Sequence, residues 1–471
     1  MKIKHDGIQI DAANPFENCK LGREKYADIL TGIVCNYQDG FVLAINNEWG
    51  TGKTTFVKMW QQQLILKGYQ TLYFNAWEND FDANPLVAIM AELNLLTKEE
   101  TKNLFKSIVE KGAIISKNIL PQLLKALAEK YIDTKIVLDL IEGTTKGATE
   151  IFEKEISDYT HKKKGLMEFK VSLQRFIKDT NDGKPIIFII DELDRCRPNY
   201  AVELLEQIKH IFLVPGIVFV LSIDKTQLGH AVRGVYGSDR INADEYLRRI
   251  IDVEYSLPEP DTLDFCNYLY EYFEFSSFCN SDKRQNYRDF ESERESIINI
   301  TSSLFKKQNL TLRQQEKIFA HARIGLIFFN HNSYLFPELY ILLVYLKNLH
   351  NDFYNNIKLK IFTQQELINE FEILLPKGIN QEDIRIFINL QALLVLMYNK
   401  YLSEYYPETL ITKDEKTGIY TSFVKSKIDT SENNNVFLNC LDYLLRKNSF
   451  DRLGIDYLLK KIDFTENILI Q

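Results

Sequence analysis

One stretch limits what this chain can become more than any other: Asn47-Glu48-Trp49-Gly50-Thr51-Gly52-Lys53-Thr54-Thr55. It follows the apolar run Phe41-Val42-Leu43-Ala44-Ile45 and precedes Phe56-Val57-Lys58-Met59-Trp60, which reads as a helix. A strand, a turn of small residues and then Gly-Lys-Thr opening a helix is the arrangement that cradles phosphate, because the turn N–H groups and the positive helix end face the anion. Lys53 is placed to reach the β- and γ-oxygens of a triphosphate and Thr54 to ligate Mg²⁺. Trp49, Gly50, Thr51, Gly52 and Thr55 complete the expected cradle. The first glycine of G-x-x-x-x-G-K-[ST] is replaced by Asn47. Asn tolerates left-handed backbone better than other non-glycine residues, so the turn is expected to survive.

The second chemical landmark is Lys184-Pro185-Ile186-Ile187-Phe188-Ile189-Ile190-Asp191-Glu192-Leu193-Asp194-Arg195-Cys196. Its five consecutive apolar residues suit a strand buried on both faces. An acid at the end of such a strand is stabilised beside Mg²⁺ and Lys53, so Asp191 is expected to hold the metal, directly or through water. Glu192 is suited to orient and deprotonate an attacking water. Asp194 and Arg195 are expected to pair with each other or to bear on a neighbouring subunit.

Around these landmarks the chain alternates strand and helix. Leu21-Gly22-Arg23-Glu24 opens a helix, and beside the phosphate turn Gly22 and Arg23 are candidates for contact with a nucleotide base. The turn helix runs to Lys67 and stops at Gly68; Gln70–Phe74 reads as the next strand, with Asn75 at its carboxyl end, where ligands of parallel sheets sit. The three tryptophans, Trp49, Trp60 and Trp77, read as packing supports. Residues 86–166 read as a lysine-rich helical insertion, with amphipathic stretches at Leu120–Ile132 and Ile136–Ile141 and a solvated run at His161-Lys162-Lys163-Lys164. A helix from Tyr200 to Phe212 leads to a buried strand, Gly216–Asp224, where Ser222 or Asp224 would emerge beside the phosphate turn. Arg248 and Arg249 precede a fifth strand and are candidates to meet phosphoryl charge, in cis or across a subunit interface. Beyond Pro258-Glu259-Pro260 helical periodicity takes over; Arg313 starts one helix, Leu339–Leu346 and Leu390–Met397 are apolar enough to be buried, and Asp414–Gly418 and Asp429–Asn435 read as loops.

Bulk composition narrows the classes. The chain has 471 residues, 45% hydrophobic and 26% charged, with net charge −8, which disfavours a surface built for duplex nucleic acid. Six cysteines without a C-x-x-C pair suit reduced thiols in a cytoplasmic protein. The start, Met1–Gly7, lacks the apolar core of a signal peptide, and no apolar run approaches the roughly 18 residues of a membrane span.

Together these pieces resemble the KAP family of P-loop NTPases, a branch of the AAA+/STAND-like group. The matching strings are Glu48–Thr54, Phe74-Asn75-Ala76-Trp77, Ile190–Pro198, Val220–Asp224, Tyr246–Ile251 and, more weakly, Leu312-Arg313. The resemblance implies an α/β fold with a parallel doubly wound sheet, a helical insertion and an all-α C-terminal region. It implies three segments: 1–40 contacting the base, a core at 41–260, and a helical lid or partner-binding region at 261–471. It further implies Mg-ATP hydrolysis driving a conformational or assembly switch, and a link to phage exclusion. Two other readings stay open: a nucleotide-gated oligomeric scaffold that presents its helices to an effector protein, and a nucleic-acid translocase, which the acidic charge disfavours.

Overall fold

The computed structural model describes residues 7–37, 39–81, 84–115, 148–181, 183–306, 310–375, 381–403, 406–413, 420–431, 435–446 and 453–465. The expected stretches Leu120–Ile132 and Ile136–Ile141, the loop Asp414–Gly418 and part of Asp429–Asn435 lie outside the described residues. The chain divides into two units, Gly7–Glu259 and Pro260–Gln471.

The first unit is built on five parallel strands: β1 (Phe41–Asn46), β2 (Thr71–Asn75), β3 (Ile186–Asp191), β4 (Ile217–Ile223) and β5 (Val253–Tyr255). Their spatial order is β2-β3-β4-β1-β5. The helices are α1 (Glu24–Asn36), α2 (Lys53–Leu66), α3 (Pro85–Asn94), α4 (Lys102–Ile115), α5 (Ala148–Thr180), α6 (Pro198–Gln207), α7 (Lys225–Tyr236) and α8 (Ala243–Arg248). The sheet is doubly wound. Leu43, Ile45, Ile187, Ile189, Val218 and Val220 face Ala27, Leu30, Phe56 and Trp60 of α1 and α2. The alternating set, Val42, Ala44, Ile186, Phe188, Phe219 and Leu221, packs on the other face against Leu86, Phe105, Phe176 and Leu204. Burial on both faces is why β3 and β4 read as unbroken apolar runs.

This order sets the chemistry. Strands β1 and β3 are not neighbours, because β4 lies between them. In register, Asn75 pairs with Asp191, Asp191 with Ser222, and Ser222 with Ile45. One level near the carboxyl ends of the strands therefore carries Asn75, Asp191 and Ser222, just before the turn that leads from β1 into α2. By strand alternation all three lie on the α2 side of the sheet.

The second unit is mainly helical, as expected. Leu339–Leu346 is buried throughout within the helix Pro337–Leu349, and Leu390–Met397 within Gln381–Leu402. A short antiparallel ribbon, Ile411–Lys413 with Tyr420–Ser422, is the β element that the helical reading of this region lacks. Three-residue strands are too short to leave a periodic trace. Among the described residues no helix is long and apolar enough to cross a membrane.

Candidate functional site

The turn between β1 and α2 bends at Gly50 and Gly52, both left-handed at φ of 81° and 80°. Any side chain there would be strained, which explains the small residues of the motif. Gly52 opens α2, so the unpaired N–H groups of its first turn project over the turn. Thr51 Oγ1 donates to the Glu48 carbonyl at 2.8 Å and tightens the loop. Thr54 and Thr55, half-buried, occupy the first helical turn.

Asn47 departs from expectation. Its backbone is not in the left-handed region. Its side chain instead pairs with one residue 210 positions away: Nδ2 donates to the Leu257 carbonyl and Oδ1 accepts from the Leu257 N–H, both at 2.9 Å. The amide is thus engaged in clamping the segment after β5, and Asn47 reaches the site through its carbonyl, which accepts from Lys53 Nζ at 2.5 Å. Lys53 Nζ also donates to the Glu48 carbonyl at 3.0 Å. Burial holds the Lys53 ammonium below the usual lysine range, while Asp194, Asp224 and Asp191, in that order of strength, pull the other way. Arg195 adds a weaker pull in the same direction as burial.

Each carboxylate is fixed differently. Asp191, at 1% exposure, accepts from Tyr73 Oη on Oδ2 at 2.9 Å and from the Glu192 N–H on Oδ1 at 3.0 Å. Asp194 does not pair with Arg195 as expected; it accepts from Trp49 Nε1 of the phosphate turn, and burial raises its pKa against the pull of that bond and of Lys53. Asp224 caps α7, accepting from the N–H groups of Thr226 and Gln227 at 3.0 and 3.2 Å. Asp-x-x-Gln before a helix is a capping signature, so this role was readable from the residues. Ser222 is fully buried and its Oγ has no hydrogen-bond partner.

Glu192 is held at φ 60°, ψ 25°, a left-handed conformation that costs a non-glycine residue about 1–3 kcal/mol. Its Oε1 pairs with Arg195 at 2.8 Å and its Oε2 accepts from Asn75 Nδ2 at 3.3 Å. Asn75 therefore meets the glutamate. Arg195 in turn lies over the rings of Trp49 and Trp77. Of the three tryptophans only Trp60 is the expected packing support, fully buried and donating to Thr31 Oγ1; Trp49 and Trp77 are half-exposed and flank Arg195 instead.

The remaining candidates are Gly22, Arg23, Arg248 and Arg249 in the first unit and Arg313 in the second. Arg23 is buried, and its Nη1 donates to the Gly52 carbonyl at 3.3 Å, so it ties the start of α1 to the phosphate turn; Gly22 beside it is exposed and left-handed. Arg248 and Arg249 are exposed at the end of α8. They precede Asp252, whose side chain accepts from the Val42 N–H at the beginning of β1, and the charge of Arg248 acts on Glu254 of β5. Arg248 lies 3.7 Å from Glu245. Arg313 is in the second unit, exposed on the first turn of Leu312–Gly325 beside Glu316.

The model of the KAP family P-loop domain matches residues 23–399. The chain belongs to the KAP family of P-loop NTPases. Among curated proteins it is similar to the phage T7 exclusion protein of Escherichia coli K12, at 20% identity over 238 residues. That match covers 48% of this chain and 31% of the relative, so the chain spans about a third of the relative's length. Among solved structures it is similar to the ORC2 protein of Aeropyrum pernix, at 14% identity and TM-score 0.32 over 90% of this chain and 95% of that one.

The donor set suits the magnesium that a P-loop implies. Among the described residues no group of three or more His, Cys, Asp or Glu side chains forms a self-sufficient metal cage. An ion held by Thr54, Asp191, phosphate oxygens and water needs no such cage. The partnerless Ser222 hydroxyl, paired in register with Asp191, marks the same level as polar ground.

Proposed function

We propose that this KAP protein binds and hydrolyses Mg-ATP to drive a conformational or assembly switch. The observation that carries the reading is the placement of Asp191 at the carboxyl end of β3, level with Ser222 on the strand beside β1, with Trp49 of the phosphate turn bonded to Asp194 just after β3. In this reading the N–H groups of Gly50, Thr51, Gly52 and Lys53 bind the β-phosphate, and Lys53 exchanges its two carbonyl partners for phosphate oxygens. Magnesium, ligated by Thr54 and Asp191, would supply charge neutralisation across the β- and γ-phosphates. Tyr73 keeps Asp191 turned toward that position. Glu192 takes the proton of the attacking water, and the water oxygen forms the new bond to phosphorus as the bond to ADP breaks. Arg248 and Arg249, exposed at the end of α8, would meet phosphoryl charge in cis or across a subunit interface. The name of the phage T7 exclusion protein supports a role in phage exclusion.

Phosphate release with and without Mg²⁺ tests the reading. Lys53→Ala is expected to lose nucleotide binding, and Glu192→Gln to bind ATP while losing turnover. Turnover that survives in Glu192→Gln removes the assignment of the base. A second reading, a nucleotide-gated scaffold with little hydrolysis, is favoured by one observation: both oxygens of Glu192 are already engaged. ATP-dependent assembly measured by light scattering beside a negligible rate of phosphate release would select it.

A further inference from the structure

A general base must present a free oxygen to water. In Glu192 the guanidinium of Arg195 takes Oε1 and the amide of Asn75 takes Oε2. The Glu192–Arg195 pair is well shielded, with side chains 15% and 25% exposed, so water does not readily replace the guanidinium. We propose that Arg195 is a positioning residue that restrains Glu192, and that its stack between Trp49 and Trp77 sets whether the restraint holds. The inference rests on the hydrolytic reading above.

The stack has the construction such a device needs. The guanidinium carbon of Arg195 lies 5.9 Å from the ring centre of Trp49 and 5.6 Å from that of Trp77. Each such contact is weak enough to bias the side chain and to be reversed. The two rings belong to different elements. Trp49 sits in the phosphate turn and Trp77 just beyond β2, so a shift of the turn on binding phosphate changes one ring and leaves the other in place. Asp194, adjacent to Arg195, is itself held by Trp49 Nε1, which couples the same turn to the same segment a second time. Arg195 also lowers the pKa of Lys53, which places its charge within the field of the phosphate site. When Arg195 leaves, Glu192 keeps only the amide of Asn75, and Oε1 is open to water.

The test compares wild type, Arg195→Ala and Trp77→Ala for Mg-ATP binding and for phosphate release. Arg195→Ala is expected to raise kcat about tenfold with KM changed less than twofold, and Trp77→Ala, at an exposed ring, to raise it in the same direction. Should Arg195→Ala not fold, Trp77→Ala carries the test alone. Tryptophan emission gives a readout independent of turnover: Mg²⁺ with a saturating non-hydrolysable ATP analogue is expected to change the emission of wild type, and Trp49→Phe to remove most of that change. A wild type that hydrolyses ATP while Arg195→Ala is no faster, or while emission is indifferent to the analogue, overturns the restraint and leaves the hydrolytic reading standing. Binding without turnover in both wild type and Arg195→Ala overturns the hydrolytic reading and the restraint with it.

Discussion

The phenol of Tyr73 on β2 donates to Oδ2 of Asp191 on β3 at 2.9 Å, across one strand spacing and 118 residues of chain. Burial and the neighbouring Asp191 push the phenol well above its ordinary pKa, so it remains a donor throughout the physiological range. Asp191 is almost fully buried and would otherwise have only the Glu192 N–H on its other oxygen. Tyr73→Phe is expected to lower stability by about 1.5–3 kcal/mol, the range for a hydrogen bond to a charged group. If Asp191 holds magnesium, the same change moves the Mg²⁺ dependence of phosphate release to higher concentration with KM for ATP little changed. All three tryptophans lie in the first unit, so urea unfolding followed by their emission reads the stability of that unit.

Restoring the missing glycine of the phosphate motif is expected to harm the protein. Asn47 makes two hydrogen bonds to Leu257, each at 2.9 Å, that glycine cannot make. At about 0.5–1.5 kcal/mol each, with extra freedom in the unfolded chain on top, Asn47→Gly should cost about 1–3 kcal/mol. A lower urea midpoint in the same emission assay is the expected outcome. An unchanged or higher midpoint would show that the clamp to the segment after β5 carries no weight.

In the second unit, Arg284 is fully buried against Glu293, with Nε donating to Oε2 at 2.6 Å. Its Nη1 donates to the carbonyls of His331 and Ser333, and its guanidinium lies over Phe278 and Phe290. Truncating one partner of such a pair leaves the other charge buried and uncompensated, at about 3–5 kcal/mol. Glu293→Ala is therefore expected to shift helical unfolding, followed by circular dichroism, by that amount. Glu293→Gln, which keeps an acceptor, should fall between the two.

What the residues revealed and what they hid divides along one physical line. The phosphate turn, the β3 strand with its terminal acids and the buried helices at Leu339–Leu346 and Leu390–Met397 are each written in consecutive residues, where period and turn chemistry act. Tyr73 with Asp191, Asn47 with Leu257, and Trp49 with Asp194 join residues more than a hundred positions apart, and nothing local marks them. Asn47 misled most, because the backbone argument for tolerating it was sound while the role of its side chain lay elsewhere.

The shifted ammonium of Lys53 has two consequences of opposite sign. Burial depresses its pKa below 10.5 more than the three aspartates restore it. For a base with a depressed folded-state pKa, the protonated form is the one disfavoured by folding; its unfavourable contribution is full below the folded pKa and fades as pH rises through it toward the unfolded value. Wild type should therefore gain stability relative to Lys53→Met as pH climbs through a window ending near 10.5. Triphosphate binding needs the charged ammonium, so nucleotide affinity should fall over that same window, beginning at lower pH than an ordinary lysine would give. Nucleotide binding by wild type and urea unfolding of both proteins across pH 8–11 separate the effects, since the wild-type minus Lys53→Met difference in stability cancels the other lysines and tyrosines. Parallel unfolding curves for the two proteins would mean that Lys53 keeps an ordinary pKa and that burial does not disfavour its charge.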